Sequence, residues 1–468
     1  MNAVPGPATG GSTPPVEPVS YYAKHAKIHP REVEGRFDRL RRIAVFALLG
    51  LFYLVPWLNW DGRQAVLFDL PARKFWILGL VLWPQDFIFL TWILVLLGIS
   101  LFFFTALAGR LWCGFACPQT VWTEVFVWIE RFIEGDRVRR IKLDRAPWGP
   151  AKLARRAATR ALWILLSLWT GLSFVGFFAP VERLAHDLVT LSLGGWALFW
   201  TLFYGAATYV NAGHMREQVC KYMCPYARFQ SAMFDRDTLI ITYDAKRGER
   251  RGPRARGADY RGRGLGDCVD CKLCVQACPT GIDIRDGLQY ECIACAACID
   301  ACDSVMDRVG YARGLIRYTT QNALEGRPAH LLRPRTVVYA ALLGTIFVAG
   351  LAGLMARKTV ALDVIRDRNA LYREAADGGV ENVYNLKILN KDQAPHRFRL
   401  AVEGLAGARL EEERAAGWRV EGGEVYSLAV RVEVPAGTLK GGHDLRFVLS
   451  DADAPGRRVV ERARFIAP

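Results

Sequence analysis

The sequence predicts a multi-domain membrane protein, with a transmembrane α bundle, a cysteine-rich domain and a C-terminal β-sandwich. Three observations predict this class. Five segments are apolar and about long enough to cross a bilayer, and all twelve cysteines fall into four compact motifs. Near the C-terminus, short segments of alternating apolar and polar residues are separated by turn residues. A chain of 468 residues has room for these separate units.

The composition indicates membrane lipid, and not nucleic acid, as the partner of the basic residues. Hydrophobic residues make up 52% of the chain, and the net charge is +15. The lysines and arginines lie beside the apolar segments, as in positive-inside topology, and no base-reading module accompanies them. We therefore expect no nucleic-acid partner. Residues 1–38 are expected to form a cytoplasmic N-terminal tail, since its beginning is rich in Pro, Gly and Ser.

Each long apolar segment is expected to form a transmembrane helix, because about 20 helical residues span about 30 Å of hydrocarbon. A shorter stretch, Phe75–Trp83, ends at Pro84 and is expected to be interfacial or re-entrant. Residues 39–215 would hold the first four helices and residues 336–357 the fifth. The predicted spans are approximately Ile43–Leu58, Phe87–Gly109, Ala161–Pro180, Leu188–Val210 and Thr336–Ala356.

The distribution of lysine and arginine predicts the orientation of these spans. Basic residues are concentrated between Arg36 and Arg42 and between Arg137 and Arg156, whereas the loops at the opposite ends hold few. Basic flanks stay inside, so the N-terminus and all twelve cysteines are expected in the cytoplasm. We expect a multi-pass membrane protein, with residues 358–468 on the outer side.

Two consecutive cysteine runs have the spacing of a ferredoxin that holds two [4Fe–4S] clusters. Each run reads Cys-x2-Cys-x2-Cys-x3-Cys, and the fourth cysteine of such a run ligates the other cluster. Zinc also binds Cys-x2-Cys pairs, but two successive runs favour iron–sulfur clusters. We expect a ferredoxin-like domain at about residues 258–310, within a cytoplasmic region of residues 216–335. One cluster is expected on Cys268, Cys271, Cys274 and Cys302, and the other on Cys278, Cys292, Cys295 and Cys298.

The remaining cysteines, Cys113, Cys117, Cys220 and Cys224, form two Cys-x3-Cys-Pro pairs, each just after a long apolar segment. Cysteines four residues apart on one helix share a face, and the following proline suits the first turn of a new helix. The two pairs repeat one plan. Each pair therefore delivers two thiols to the cytoplasmic interface, and four thiolates meet there if the pairs converge.

Four converging thiols could hold a third iron–sulfur cluster, bind a soft ion such as Cu(I), or alternate between dithiol and disulfide. They could also be buried structural residues that act as small hydrophobes. His214, Met215 and Met223 flank the second pair and would suit copper, or they could be ordinary interfacial residues. The residues alone leave these alternatives open.

The segments around the cysteines carry further patterns. Gln119–Phe132 predicts an amphipathic helix along the membrane surface. Lys246–Arg263 carries eight basic residues and predicts either a lipid-headgroup site or a flexible tether for the clusters. After the fifth span, residues from about Val383 to Ile466 predict a small β-sandwich of about seven strands on the outer side.

Some electron carriers and pumps are disfavoured by the sequence. No predicted span contains a histidine and no Cys-x2-Cys-His occurs, which argues against bis-histidine haem in the membrane and covalent haem. The interiors of the spans hold no charged residue, which argues against a proton relay. The redox chemistry is therefore expected at the cytoplasmic face.

Motifs along nearly the whole chain after its tail carry a resemblance to a known family. They are His29-Pro-Arg-Glu-Val33, Gly35-Arg-Phe37, Arg63–Pro71, Trp83-Pro-Gln-Asp86, Arg110–Thr120, Arg216–Tyr226 and Cys278–Arg285. Together they resemble the CcoG family, also called FixG or RdxA, whose members are accessory proteins for assembling cbb3-type cytochrome c oxidase. Matches spread over loops, spans and cysteine motifs are more specific than a ferredoxin motif alone.

The resemblance implies an inner-membrane iron–sulfur protein that reduces Cu(II) to Cu(I), with an Ig-like outer domain. It implies that Cys113, Cys117, Cys220 and Cys224 are the catalytic cysteines linked to copper, and that the other eight are cluster ligands. Expected partners are copper ions, copper-handling or oxidase-assembly proteins, and an unidentified cytoplasmic electron donor. Two alternatives are a polyferredoxin-type subunit that links quinol or a soluble donor to a partner reductase, and a non-enzymatic assembly scaffold.

Overall fold

The computed structural model describes residues 27–254, 259–368, 370–375, 378–392, 394–411, 417–454 and 456–468. Its helices are α1 (Arg36–Leu54), α2 (Phe87–Ala108), α3 (Leu111–Phe115), α4 (Pro118–Glu134), α5 (Arg137–Arg145), α6 (Pro150–Val175), α7 (Val181–Val189), α8 (Gly195–Thr208), α9 (Pro225–Ala232), α10 (Ala245–Gly248), α11 (Leu273–Ala277), α12 (Ala297–Val309), α13 (Gln321–Leu324) and α14 (Pro334–Met355). Single 3-10 turns cover Val55–Trp57, Pro84–Asp86 and Ile284–Asp286, and π-helical segments cover Tyr209–Met215 and Val219–Met223.

The strands are β1 (Asn59–Trp60), β2 (Arg63–Gln64), β3 (Val66–Asp69), β4 (Lys74–Ile77), β5 (Leu80–Leu82), β6 (Ile240–Tyr243), β7 (Ile316–Thr319), β8 (Val360–Arg366), β9 (Arg373–Glu374), β10 (Val380–Asn390), β11 (His396–Glu403), β12 (Arg409–Glu411), β13 (Trp418–Val420), β14 (Val425–Val434), β15 (Gly441–Asp451) and β16 (Arg458–Ala467).

In the part of the chain that the structure describes, four helices are long and apolar enough to cross a membrane, judged by length and composition. They overlap most of the predicted first, second, third and fifth spans. The predicted fourth span, Leu188–Val210, is continuously helical only from Gly195 onward. Its beginning is divided between the end of α7 and a turn at Leu191, whose φ of 56° is left-handed and ends the preceding helix. The four candidate spans are Arg36–Trp57, Pro84–Ala108, Pro150–Val175 and Pro334–Met355.

The stretch Phe75–Trp83, expected to be interfacial or re-entrant, contains two strands of a small antiparallel sheet. β4 lies between β3 and β5, with Phe75 opposite both Phe68 and Leu82. Leu78 has a φ of 52° at the turn that joins β4 to β5. The apolar and aromatic residues of this stretch therefore stabilise cross-strand pairs, which a hydropathy pattern alone does not distinguish from a short apolar helix.

Helices α2 and α14 run in opposite directions, since the start of α14 lies at the end of α2, and their contacts identify two ends of the bundle. At one end, the N–H of Leu239 donates to the carbonyl of Leu107, at the end of α2. At the other end, Arg357 follows α14 and pairs with Asp86, just before α2. The cysteine motifs lie at the first end and the β-sandwich adjoins the second.

The cysteine-rich domain is enclosed by two strands that are distant in sequence. β6 and β7 pair antiparallel, with Ile240 opposite Thr319 and Tyr243 opposite Ile316. Helices α11 and α12 lie between them in sequence and share an apolar core with both strands, and α12 carries Cys298 and Cys302. This arrangement holds both ferredoxin-type runs against one apolar core.

The C-terminal domain is a sandwich of two antiparallel sheets. One sheet has the order β12–β14–β10–β8 with β9 beside β10, and the other has the order β13–β11–β15–β16. Tyr384, Phe398 and Phe447 are among the side chains buried between them. The sandwich begins at Val360 and contains β8–β16, so the estimate of about seven strands from about Val383 was too short at its start.

The basic segment Lys246–Arg263 is not a free tether over its first residues. The backbone of Arg247, Arg250 and Gly252 pairs with that of residues 266–268. Arg247 also pairs with Asp267 at 2.5 Å. Residues 255–258 lie outside the described part of the chain. The described beginning of the segment is thus attached to the cysteine-rich domain.

Candidate functional site

The structure brings the cysteines expected for the first cluster to one cavity of about 20 Å³. Val305, Met306 and Ile316 form apolar walls, and Lys272 and Arg285 are charged residues at its edge. The lining cysteines are Cys268, Cys271, Cys274 and Cys302. The fourth cysteine of the second run therefore faces the first three of the first run.

The cysteines expected for the second cluster line another cavity of about 20 Å³. Ile241, Ile282 and Ile284 form apolar walls, and the Thr280 hydroxyl lies 3.3 Å from the Cys278 sulfur. The lining cysteines are Cys278, Cys292, Cys295 and Cys298. Each cavity thus combines four thiols with an almost wholly apolar wall.

Both cysteine loops contain residues in the left-handed backbone region. Asp270 and Lys272 flank the second cysteine of the first run with φ of 53° and 55°. Ala294 and Ala296 do the same in the second run, with φ of 53° and 60°. Alternation of right- and left-handed residues forms a concave group of N–H donors, which suits an anionic iron–sulfur cluster. Nothing in the cysteine spacing reveals these four positions.

Burial makes these thiols unfavourable as anions unless a cation compensates. It raises the pKa of Cys274, Cys292 and Cys302 to about 12, and neighbouring thiolates reinforce the effect. It also raises the pKa of Cys298 well above the ordinary value. Bound metal ions keep coordinating thiols deprotonated in such surroundings. The donors at both cavities therefore fit [4Fe–4S] clusters.

Neither Cys-x3-Cys-Pro pair lies on one helix, which corrects the expectation of a shared helical face. Cys113 lies in α3, whereas Cys117 immediately precedes α4. Cys220 lies in the second π-helical segment, and Cys224 immediately precedes α9. The proline after each second cysteine disfavours a helical conformation at that cysteine. The chain therefore bends between the two thiols of each pair.

The four thiols nevertheless converge, and in each of their six pairings the charges are close enough to interact. Burial, reinforced by the thiolates of Cys117 and Cys113, raises the pKa of Cys220 to about 12. Burial also raises the pKa of Cys113, against the positive charge of Arg110. At Cys117, burial again raises the pKa, while backbone N–H groups in the first turn of α4 oppose it.

Arg110 and Gln230 connect this four-thiol site to its surroundings. The Nε of Arg110 and the Sγ of Cys113 both donate to Oε1 of Gln230, each at 3.2 Å. Gln230 is fully buried, and its amide donates to the hydroxyl of Thr105 at 3.3 Å. Nη1 of Arg110 donates to the carbonyl of Tyr290, just before the second ferredoxin-type run. Sequence reasoning missed both side chains; a buried arginine directly after an uncharged span is the available signal.

The first Cys-x3-Cys-Pro pair lies directly against the second ferredoxin-type run. A carbon added at Gly114 would lie 2.7 Å from the carbonyl oxygen of Ala294 and 2.8 Å from the Cα of Cys295. Cys113 shares a buried apolar cluster with Cys295 and Ile293. The four-thiol site and the loop of the second expected cluster are therefore in van der Waals contact.

The beginning of α1 also holds the cysteine-rich domain in place. Asp300 of α12 accepts hydrogen bonds from the backbone N–H groups of Phe37 and Asp38, at 3.2 and 2.7 Å. Arg41 donates to the carbonyl of Cys295 at 2.6 Å. Charged groups this close to an apolar span are a sequence signal, but their partners are more than 250 positions away.

A cavity of about 70 Å³ lies beside the contact between the two sites and is lined by Cys220 and Cys295. Arg216 lines it and pairs with Glu130 at 2.8 Å. Glu130 is fully buried, and it also pairs with Lys27 and Arg140. This ionic cluster joins the N-terminal segment, α4 and α5 to the residues just before the second Cys-x3-Cys-Pro pair.

The residues suggested as copper ligands beside the second pair are not gathered with the thiols into a single-ion site. The ring of His214 packs against Trp163 and Tyr209. The side chain of Met223 is exposed. Across the described ranges, no three His, Cys, Asp or Glu side chains are close enough to share one metal ion.

Comparisons with protein families match three parts of the chain. A model described as "4Fe-4S dicluster domain" matches residues 215–321, and one described as "4Fe-4S binding domain" matches residues 88–136. A model described as "IG-like fold at C-terminal of FixG" matches residues 350–468. The last match agrees with the two-sheet sandwich seen in the structure.

Curated proteins match nearly the whole chain. The Nitrogen fixation protein FixG of Rhizobium meliloti is 39% identical over 491 aligned residues, which cover 96% of this chain and 94% of that protein. Protein RdxA of Cereibacter sphaeroides is 41% identical, over 93% of this chain and 95% of that protein. The crystal structure of a FixG-related protein from Vibrio parahaemolyticus is 31% identical and covers 24% of this chain and 97% of that one, with a TM-score of 0.22.

Proposed function

The chain belongs to the FixG family, and we propose that it is a membrane-bound iron–sulfur oxidoreductase that reduces Cu(II) to Cu(I). Reduction takes place at the cytoplasmic face of the bacterial inner membrane, and the Cu(I) supports assembly and maturation of a cbb3-type cytochrome c oxidase. The basic flanks of the spans support this orientation, with the sandwich in the periplasm.

Two [4Fe–4S] clusters store the electrons in this proposal. The first is held by Cys268, Cys271, Cys274 and Cys302, and the second by Cys278, Cys292, Cys295 and Cys298. Support comes from the two cavities, each lined by one of these sets, and from the match to a dicluster domain. A cytoplasmic donor of low potential refills the clusters, and each reduced cluster supplies the one electron that converts Cu(II) to Cu(I).

The observation that carries the proposal is the contact between Gly114 and Cys295. This contact supports a short path for electrons from the second cluster to Cys113, Cys117, Cys220 and Cys224. Copper receives its electron beside these four thiols. Soft thiolates favour Cu(I) over Cu(II), so a thiol-rich surrounding at the point where copper is reduced also favours the reduced product.

The test uses the full chain, purified in detergent with its clusters intact. The clusters are reduced, excess reductant is removed without oxygen, and Cu(II) is added with a chelator that reports Cu(I). We expect the reduced-cluster EPR signal to disappear as one Cu(I) forms for each electron lost. Fully reduced protein that yields no Cu(I) above the protein-free rate would overturn the proposal.

The matched variant replaces all four thiols of the pairs by serine and leaves both ferredoxin-type runs unchanged. It should still become reduced, but its reaction with Cu(II) should slow by at least about tenfold, since the last step of the path is lost. An unchanged rate would show that copper takes electrons elsewhere.

A second candidate function, an oxidase-assembly scaffold, is favoured by the fixed position of the sandwich. Arg357 and Lys391 both pair with the buried carboxylate of Asp86, which attaches the outer domain to the membrane-facing part of the chain. Deletion of residues 358–468 separates the two functions. If copper reduction persists while oxidase assembly fails, the sandwich is a docking module.

A further inference from the structure

We infer that Cys113, Cys117, Cys220 and Cys224 together hold a third [4Fe–4S] cluster. The first support is the distribution of cysteines between the matched segments. Residues 88–136 match a 4Fe-4S binding domain but contain only Cys113 and Cys117. Residues 215–321 match a dicluster domain and contain two cysteines beyond the eight that two clusters need. Those two are Cys220 and Cys224.

Each matched segment has only two cysteines free for a third cluster, and the structure brings the two pairs together. The two pairs are about a hundred positions apart in sequence, yet all six pairings of their thiols interact. Cys113 and Cys220 also pack in the same apolar cluster. Two thiols from each segment thus complete the four that a cubane cluster requires.

The four thiols are not arranged as a site for one copper ion. Among the described residues, the four thiols converge without any three being close enough to share a single ion. The eight ferredoxin-type cysteines have the same property, although their spacing is that of cluster ligands. A cubane has a separate iron for each thiolate, so its ligands stand farther apart than those of a mononuclear site.

The surroundings also suit the negative charge of a thiolate-bound cluster. The 17-residue helix α4 begins directly after Cys117, so its N-terminal N–H groups are directed toward that sulfur. The buried guanidinium of Arg110 lies near Cys113, Cys117 and Cys220. Hydrogen bonds and positive charge around the sulfurs are what stabilise and tune such clusters.

This third cluster extends the electron path at the point where copper was proposed to react. Because Gly114 touches Cys295, the second and third clusters are neighbours across a single layer of backbone. The inference deepens the proposed function by naming the group that passes the electron to copper. It is independent of copper chemistry, since it concerns iron bound to the four thiols.

The experiment measures iron and acid-labile sulfide per chain in the full-length protein, purified and reconstituted without oxygen. The wild type should hold about twelve iron atoms, and the variant with all four pair cysteines replaced by serine should hold about eight. The Cys220→Ser/Cys224→Ser variant should also hold about eight, because a cluster shared by the pairs is lost when either pair is removed. EPR of the reduced variants should retain the signals of two interacting clusters.

A control variant, Cys268→Ser/Cys271→Ser, should lose the first cluster while retaining the signal assigned to the third. About eight iron atoms in both the wild type and the four-serine variant would overturn the inference. If the wild type then held copper that the variant lacked, the copper proposal would survive alone. If the wild type held about twelve iron atoms but failed to reduce Cu(II), the proposed function would be overturned, whereas the inference of a third cluster would be supported.

Discussion

Gly114 lies against Cys295 so closely that a side-chain carbon at Gly114 would be 2.8 Å from the Cα of Cys295. Gly114→Val should therefore separate the four-thiol site from the second ferredoxin-type run. We expect the iron content of the two ferredoxin clusters to persist and the oxidation of reduced clusters by Cu(II) to slow by about tenfold or more. Stopped-flow absorbance would measure that rate. Gly98→Val is the matched control, since nothing lies within 4 Å of its added carbon, and it should behave as wild type.

Asp300 caps the first turn of α1 from the cysteine-rich domain, so Asp300→Ala should loosen the domain from the bundle. Two backbone N–H groups lose their acceptor, and we expect a loss of about 1–2 kcal/mol in stability. Hydrogen exchange at Phe37 and Asp38 should accelerate accordingly. Asp307→Ala, on the same helix but exposed and paired only locally with Arg313, should leave that exchange unchanged.

Arg110 contributes a buried positive charge beside the thiols, and Arg110→Met removes it. Loss of a nearby positive charge disfavours the reduced cluster, so the midpoint potential of the cluster nearest to Tyr290 should fall by tens of millivolts. Arg110→Lys keeps the charge but loses the hydrogen bond to Gln230. Its midpoint potential should therefore stay closer to that of the wild type than to that of Arg110→Met. Redox titration followed by EPR measures both; equal potentials in all three proteins would contradict the assignment.

The buried carboxylate of Glu130 should make the stability of the protein depend on pH. Burial alone would raise its pKa, but Arg216 and Lys27 outweigh burial and hold the pKa at about 2. The stabilisation is therefore present above the ordinary carboxyl pKa and is lost as the pH falls through about 2, and it amounts to roughly 3 kcal/mol. Glu130→Gln should be destabilised at pH 7 and should lose less stability than the wild type on acidification. Thermal unfolding in detergent at several pH values tests this, and Glu32→Gln, at an exposed site, should match the wild type.

Asp86 joins the sandwich to the bundle, and Asp86→Asn should weaken that joint. The change leaves Arg357 and Lys391 buried without their carboxylate, a cost of several kcal/mol for the docked position. We expect protease cleavage near residues 356–359 to accelerate, while cluster content and copper reduction stay unchanged. Asp61→Asn, at an exposed position in the neighbouring loop, should leave cleavage at the wild-type rate.

The parts of this protein that sequence reasoning predicts well are those encoded by local pattern. Long apolar segments predict helices because each such helix satisfies its own backbone hydrogen bonds. Alternation near Val430 predicts a strand because successive side chains of a strand face opposite sides of its sheet. Local pattern does not determine the conformation where a short apolar run could form a helix or strands, as at Phe75–Trp83. It also fails where a turn residue such as Leu191 interrupts an otherwise apolar segment.

The sequence by itself determined the chemical inventory: twelve cysteines in four motifs, the apolar spans and the alternating strands. Tertiary structure alone decided which of these meet. Gln230 joins Arg110 to Cys113, Asp300 caps α1, and Gly114 touches Cys295. Such contacts join residues more than a hundred positions apart, and they arise from packing of the whole chain rather than from any local hydrogen-bonding or hydropathy rule. The motifs indicate iron–sulfur clusters; the packing decides that the four-thiol site lies against the second ferredoxin-type run.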